Sequence, residues 1–226
     1  TDVMKYSVLN GGKRIRPFLI IESAKLFGKN ERFSINTAFS AELVHCFSLI
    51  YDDLPCMDND NLRRGKPTVH LAFSESTALL AGSSLLIYAF KNLADQKIKL
   101  EHNIRNELIK NLSDAIGCEG MLAGQFLDLE AEKPDKIITE KEFENIQKRK
   151  TGSLMSFCAK AGAIIGKANN IEKKILCEYG LLLGRIFQIT DDLLDITGNK
   201  KTLGKEVNKD KNKNKATLIK LRGYKE

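Results

Sequence analysis

Apolar residues along this chain recur at helical rather than strand spacing. After Pro17, the residues Phe18, Leu19, Ile20, Ala24 and Leu26 run to a stop at Gly28; proline suits the first turn of a helix and glycine its end. A second helix is predicted from near Ser34 through Ala38, Ala41, Val44 and Leu49, and further helices across Ser74 to Asp95, Ile104 to Glu130, Glu140 to Gly166 and Ile171 to Thr197. Their connections are short and polar. In the last helix Gln188, Asp191 and Asp195 fall at i, i+3 and i+7, a polar stripe on a helix otherwise rich in Leu181, Leu183, Ile186, Ile189 and Leu193. Such a stripe must face a cavity or a partner. Gly162 with Gly166, and Gly180 with Gly184, stand one turn apart and predict close helix packing. No repeat of solenoid period interrupts the pattern, so the fold class is all-α, a helical bundle.

Composition adds limits. With 226 residues, four Pro, no Trp and no linker-like stretch, the chain reads as one domain, 1–226, and not as a sheet protein. Leu85 to Phe90 is far too short an apolar run to span a bilayer, so a soluble, cytoplasmic protein without stable membrane insertion is expected. The five cysteines, Cys46, Cys56, Cys118, Cys158 and Cys177, are odd in number, lack a C-x-x-C pair and mostly sit in apolar helical sequence. That fits reduced, buried thiols. Thr1 is not an initiator and no signal-peptide pattern follows it; the chain reads as a portion of a longer one, and a removed targeting segment stays open.

A net charge of +7 suits anionic substrates. The lysines gather between Lys133 and Lys150 and between Lys200 and Lys220 without interleaved aromatics, which argues against nucleic acid as the partner.

Two acidic clusters carry the candidate chemistry, Asp52-Asp53-Leu54-Pro55-Cys56-Met57-Asp58 and Asp191-Asp192-Leu193-Leu194-Asp195. Carboxylates crowded beside apolar sequence repel each other and lose hydration, so a positive charge must neutralise them. Mg²⁺ prefers a few carboxylates together with water and phosphate oxygens, and two facing clusters of this kind would clamp a diphosphate. On an unbroken helix Asp52 and Asp58 would point apart, but Pro55 should end the helix and let the chain turn back. Basic residues follow at once in Asn61-Leu62-Arg63-Arg64-Gly65-Lys66-Pro67, and the planar fork of arginine suits phosphate.

The block Asp52 to Thr68 resembles the first aspartate-rich motif of the trans-isoprenyl diphosphate synthases, in the form with a four-residue gap before its third Asp. Asp191 to Asp195 is similar to their second motif, and Gly11-Gly12-Lys13-Arg14-Ile15-Arg16-Pro17 to their N-terminal diphosphate-binding segment. All three occur in the family's order over nearly the whole chain, and the bacterial farnesyl diphosphate synthases are the most similar group.

The resemblance implies a helical bundle of the isoprenoid synthase type with a central substrate cavity, usually a homodimer. It implies a prenyltransferase joining isopentenyl diphosphate head-to-tail to dimethylallyl and geranyl diphosphates, with three Mg²⁺ per site. Asp52 and Asp58 would hold two of them and Asp191, with Asp195, the third. Lys13, Arg16, His45 and Arg64 match the isopentenyl diphosphate site; Arg63, Lys150 and Lys205 would contact the allylic diphosphate. Thr151 and Gln188 would present oxygen dipoles to the cation. Gln125 and Asp128 have family counterparts too, although a hydrogen bond between core helices explains them equally well. Phe47 and the small Ser48, five and four residues before Asp52, lie where a growing prenyl tail would end, about 7.5 Å along the helix for five residues. Bulk there goes with farnesyl diphosphate, so geranylgeranyl or longer products form the alternative.

One departure stands out. The family usually has Gly-Asp-Ala-Leu where this chain has Gly82-Ser83-Ser84-Leu85, which removes a carboxylate and opens a second reading, a non-catalytic subunit of a heteromeric synthase. Such a subunit would usually have lost an aspartate motif. A class I terpene cyclase would not need Lys13, Arg16 and His45.

Overall fold

In a computed structural model, residues 1–133 and 136–197 are described, with the helix path alone for 195–197. Among the described residues ten α-helices follow one another: α1 (Asp2–Leu9), α2 (Ile15–Leu26), α3 (Glu31–Asp52), α4 (Val69–Ala72), α5 (Glu75–Ala94), α6 (His102–Ile116), α7 (Met121–Ala131), α8 (Glu140–Gln147), α9 (Ser153–Ile165) and α10 (Asn170–Thr197). The fold is all-α, as expected. Between α3 and α4 lies a two-stranded ribbon of β1 (Leu62–Arg63) and β2 (Lys66–Pro67), paired antiparallel with Leu62 opposite Pro67. Its turn residues, Arg64 and Gly65, both have positive φ (55° and 79°), the geometry that suits the twist of a tight hairpin.

The helix starts follow local chemistry. Ser74 caps α5 by accepting from the backbone N–H of Thr77 at 3.2 Å. Thr139 and Glu142 satisfy each other's backbone donors at the start of α8, a reciprocal cap. Pro17 sits in the first turn of α2, where its missing N–H costs no helical bond.

Two predicted helices are broken. The one read across Ile104 to Glu130 divides into α6 and α7 at Gly117–Gly120, where the Gly120 N–H turns back to the Gly117 carbonyl at 3.1 Å. That read across Glu140 to Gly166 contains a π-helical turn, Lys148–Gly152, between α8 and α9. Apolar spacing lapses at both breaks, through Gly117-Cys118-Glu119-Gly120 and through Lys148-Arg149-Lys150-Thr151-Gly152, and the regular spacing on either side masked the interruption.

The chain divides into two compact units, residues 1–109 with 161–169, and residues 110–160 with the segment from 170 onward. In the first, α3 packs on α2 and α5 around Ile20, Ala41, Val44, Ile50, Leu85 and Leu93. Polar bonds register α3 against α5: Ser40 donates to the Ala89 carbonyl (2.9 Å), and Asn92 donates to the Asn36 carbonyl (2.8 Å) and to Ser40 (2.9 Å). In the second unit Ala131, Ile138, Phe143 and Ile146 form a cluster with Leu127 against it. The paired glycines pack as expected; a Cβ on Gly162 would lie 2.3 Å from Ser23 Cβ, and one on Gly180 2.6 Å from the Met155 carbonyl oxygen.

Two expectations need correction. Helices α3 and α5 each hold an 18-residue window of mean hydropathy 1.2, long and apolar enough by length and composition to cross a membrane. Ala, Cys and Val interspersed with Ser and Thr raise the average without making a continuous apolar run, and most of the α3 window is buried within the protein. The cysteines are all free, but Cys56 and Cys118 are exposed rather than buried, since both lie in turns outside the helices.

Candidate active site

The first acidic cluster is formed as the proline predicts. Helix α3 ends at Asp52, and the chain then reverses so that the Asp58 N–H donates to the Asp52 carbonyl at 2.8 Å and the Asp60 N–H to the Asp53 carbonyl at 3.2 Å. The reversal brings Asp58 back beside Asp52.

Two neighbouring arginines serve different partners. Arg63, in β1, donates through Nε to Asp53 Oδ1 at 3.0 Å and through a terminal nitrogen to Asp60 Oδ2 at 3.2 Å. Burial pushes the Asp53 carboxyl up from its ordinary value, against the pull of Arg63. For Arg63 itself burial works against the charge, and Asp53, Asp60 and Asp52 more than offset it, so its pKa rises. Asp53 and Asp60 thus hold the Arg63 guanidinium in place. Arg64, at the ribbon turn, donates to the Gly11 carbonyl at 2.7 Å and approaches Glu42 at 4.0 Å.

Glu42 escaped the sequence reading. It is buried on α3 and also pairs with Arg14, whose other terminal nitrogen donates to the Val8 carbonyl. Its only signal was an acid three residues before His45 inside an apolar helix. Arg14 has φ 52°, and three of the four non-glycine residues with positive φ among the described residues, Arg14, Asn59 and Arg64, lie in the segments singled out for diphosphate. Strained backbone of this kind persists where the surroundings hold it.

Lys13 is exposed, while Arg16 and His45 are partly buried in the same unit. Loss of hydration, with Arg16, Arg64, Arg63 and Arg14 nearby, holds the His45 pKa well below the ordinary imidazole range. The ring is therefore neutral and can serve as a donor or acceptor without adding charge. Phe47 is buried one turn from Tyr51, and Ser48 turns its hydroxyl back to the His45 carbonyl at 2.9 Å. Ser83, at the position of the missing carboxylate, shares a 2.8 Å hydrogen bond with the Tyr51 hydroxyl.

The second unit holds the other candidates. Lys150 and Thr151 occupy the π turn, which brings Lys150 Nζ within 2.6 Å of Asp128 Oδ2. π-Helical turns occur often at functional sites. Gly124 on α7 allows the close approach, because a Cβ there would lie 2.1 Å from the Lys150 backbone nitrogen. Thr151 donates to Gln188 Oε1 at 3.3 Å, and Gln188 Nε2 donates to Asp192 Oδ1 at 3.0 Å. This chain of bonds fixes the threonine hydroxyl as a donor to Gln188. Gln188 and Asp192 also line a cavity of about 210 Å³ with Phe143, Gln147, Leu181 and Arg185. Gln125 does not make the hydrogen bond between core helices that is one reading of it; both its amide atoms are buried without a partner among the described residues. Asp191 lies one turn from Gln188 on α10, Asp195 is placed by helix path alone, and Lys205 lies outside the described residues.

Among the described residues no group of three or more His, Cys, Asp or Glu side chains could hold a metal by itself. Mg²⁺ still fits these donors, since it binds through one or two carboxylates and fills its remaining positions with water and substrate phosphate.

The fold belongs to a known class. Superposed on the crystal structure of a geranyltransferase from Helicobacter pylori complexed with magnesium and isoprenyl diphosphate, the chain gives a TM-score of 0.89 at 35% identity, over 99% of this chain and 74% of that one. It is an isoprenyl synthase fold. The chain belongs to the polyprenyl synthetase family, whose model matches residues 1–226, and it is thereby a trans-prenyl synthase. It is 44% identical to the farnesyl diphosphate synthase of Geobacillus stearothermophilus over 227 residues, 99% of this chain and 76% of that protein. It is 42% identical to geranylgeranyl pyrophosphate synthase 4 of Arabidopsis thaliana over 221 residues, 97% of this chain and 59% of that protein.

Proposed function

We propose that this prenyltransferase makes farnesyl diphosphate, adding isopentenyl diphosphate to dimethylallyl and then geranyl diphosphate. The observation that carries the two-substrate reading is the divergence of Arg63 and Arg64. One is held over the acidic cluster by Asp53 and Asp60, the other beside Gly11, Gly12 and Glu42. Adjacent cations directed to separate places suit two diphosphates.

Mg²⁺ held by Asp52, Asp58, Asp191 and Asp195 would neutralise the leaving diphosphate. Arg63 and Lys150 would add positive charge where negative charge develops as the allylic carbon–oxygen bond breaks, and Lys205, outside the described residues, is assigned to the same diphosphate by the family resemblance. Thr151 and Gln188 direct oxygen dipoles toward the carbocation. Lys13, Arg16, neutral His45 and Arg64 hold isopentenyl diphosphate so that its double bond attacks the cation and forms the new carbon–carbon bond. The proton then lost from the adduct goes to the departed diphosphate, so no strong protein base is needed.

Phe47 supports the farnesyl product, since a buried ring five residues before Asp52 can act as a floor to the growing tail. The relatives include synthases of both farnesyl and geranylgeranyl diphosphate, so the longer product is the second reading. A second copy of the chain is the expected partner, covering Ile35, Phe39, Leu80 and Ile87, which α3 and α5 leave exposed. Purified protein with Mg²⁺, isopentenyl diphosphate and each allylic starter should yield mainly a fifteen-carbon product. A twenty-carbon main product would overturn the farnesyl assignment, and no product at all the prenyltransferase itself.

A further inference from the structure

A floor limits chain length only if it cannot yield, and a lone phenylalanine can swing aside at a cost of order 1 kcal/mol. Here Phe47 does not stand alone. Tyr51, the next residue on the same face of α3, lies with its ring centroid 4.7 Å from that of Phe47 at 60°. Both rings meet α5 at Gly82, where a Cβ would lie 2.5 Å from a Tyr51 ring carbon and 3.6 Å from a Phe47 ring carbon. The missing side chain is a notch that the tyrosine fills. The next residue, Ser83, anchors the tyrosine hydroxyl at 2.8 Å, and that hydroxyl also reaches the Leu79 carbonyl at 3.4 Å. All of these contacts lie within the first unit.

We propose that Tyr51, anchored by Ser83 in the Gly82 notch, is a second determinant of product length: it braces Phe47 against the advancing prenyl tail. The inference rests on the Phe47 floor proposed above. It adds a specificity residue that packs against the floor ring from one helical turn nearer Asp52, with a serine acting one step further away as a positioning residue.

Tyr51→Phe and Ser83→Ala separate the anchor from the ring, since both retain the aromatic at position 51. The readout is the ratio of the next longer prenyl product to the main wild-type product, taken per turnover so that a general loss of activity does not enter. Each substitution should raise that ratio roughly two- to tenfold, the range expected when one neutral hydrogen bond is lost. If both variants fold, by circular dichroism, and both keep the wild-type ratio, Tyr51 is not a brace. Should either variant prove poorly folded, Tyr51→Leu, which removes the ring and the anchor together, decides by the same ratio. A parallel Phe47→Ala arm tests the floor itself. Lengthening there with no change at Tyr51 or Ser83 overturns the brace alone, and no lengthening in any variant overturns both.

Discussion

Arg64 occupies the space that a side chain on Gly12 would fill: a Cβ there would lie 2.6 Å from the guanidinium carbon. The glycine also has φ 110°, so the N-terminal segment and the ribbon turn depend on each other. The close approach fixes the direction of a cation whose sequence neighbour, Arg63, faces two carboxylates.

That division leads to a paired prediction. Arg64→Ala should raise the KM for isopentenyl diphosphate more than that for the allylic substrate, and Arg63→Ala should do the reverse. Each effect should be roughly ten- to a hundredfold, as expected for one charge-assisted hydrogen bond. Arg63→Ala should also destabilise the protein by on the order of 3 kcal/mol, because it leaves the buried Asp53 without its partner. Steady-state kinetics with each substrate varied, and chemical denaturation, measure the two effects. Equal shifts for both substrates in both variants would end the two-site reading.

Asp52→Ala and Asp191→Ala should each lower turnover by orders of magnitude at saturating Mg²⁺, since each removes a carboxylate assigned to metal and diphosphate. Stability should hardly change for Asp52→Ala. Asp52 is the last residue of α3, and a carboxylate at a helix C-terminus opposes the helix dipole. Turnover close to that of the wild type in either variant would exclude the metal clamp.

His45 predicts a pH dependence of stability. Above about pH 6.5 an ordinary imidazole is neutral in both the folded and the unfolded chain. Below it the unfolded chain takes up a proton that the folded site, poor in water and surrounded by arginines, disfavours. Stability is therefore lost as pH falls from about 6.5. His45→Asn should flatten the loss between neutral pH and about pH 5 in denaturant titrations. Parallel curves for variant and wild type would show that the ring protonates normally in the folded protein.

Phe47→Ala should move the main product from farnesyl to geranylgeranyl diphosphate or longer. The first condensation should change much less, because the shorter product does not reach that depth. Product sizing by chromatography checks this. An active variant that still stops at fifteen carbons would leave Phe47 as a packing residue.

What the sequence by itself determined is local. The 3.6-residue periodicity defines α2, α3, α5 and α10, Pro55 ends α3 before the chain reverses, and the two acidic clusters, with the arginines that follow the first, announce a diphosphate chemistry. These features depend on residues within a turn or two of each other, so composition and spacing carry them. The tertiary structure decided what distant residues do to one another. It turned Asp53 and Asp60 into partners of Arg63, set Glu42 between Arg14 and Arg64, joined Lys150 to Asp128, and tied Ser83 to Tyr51. It also broke two predicted helices, at Gly117–Gly120 and at the π turn. A buried charge or hydroxyl takes whichever partner the packed backbone brings within about 3 Å, and no periodicity in a single chain encodes that distance.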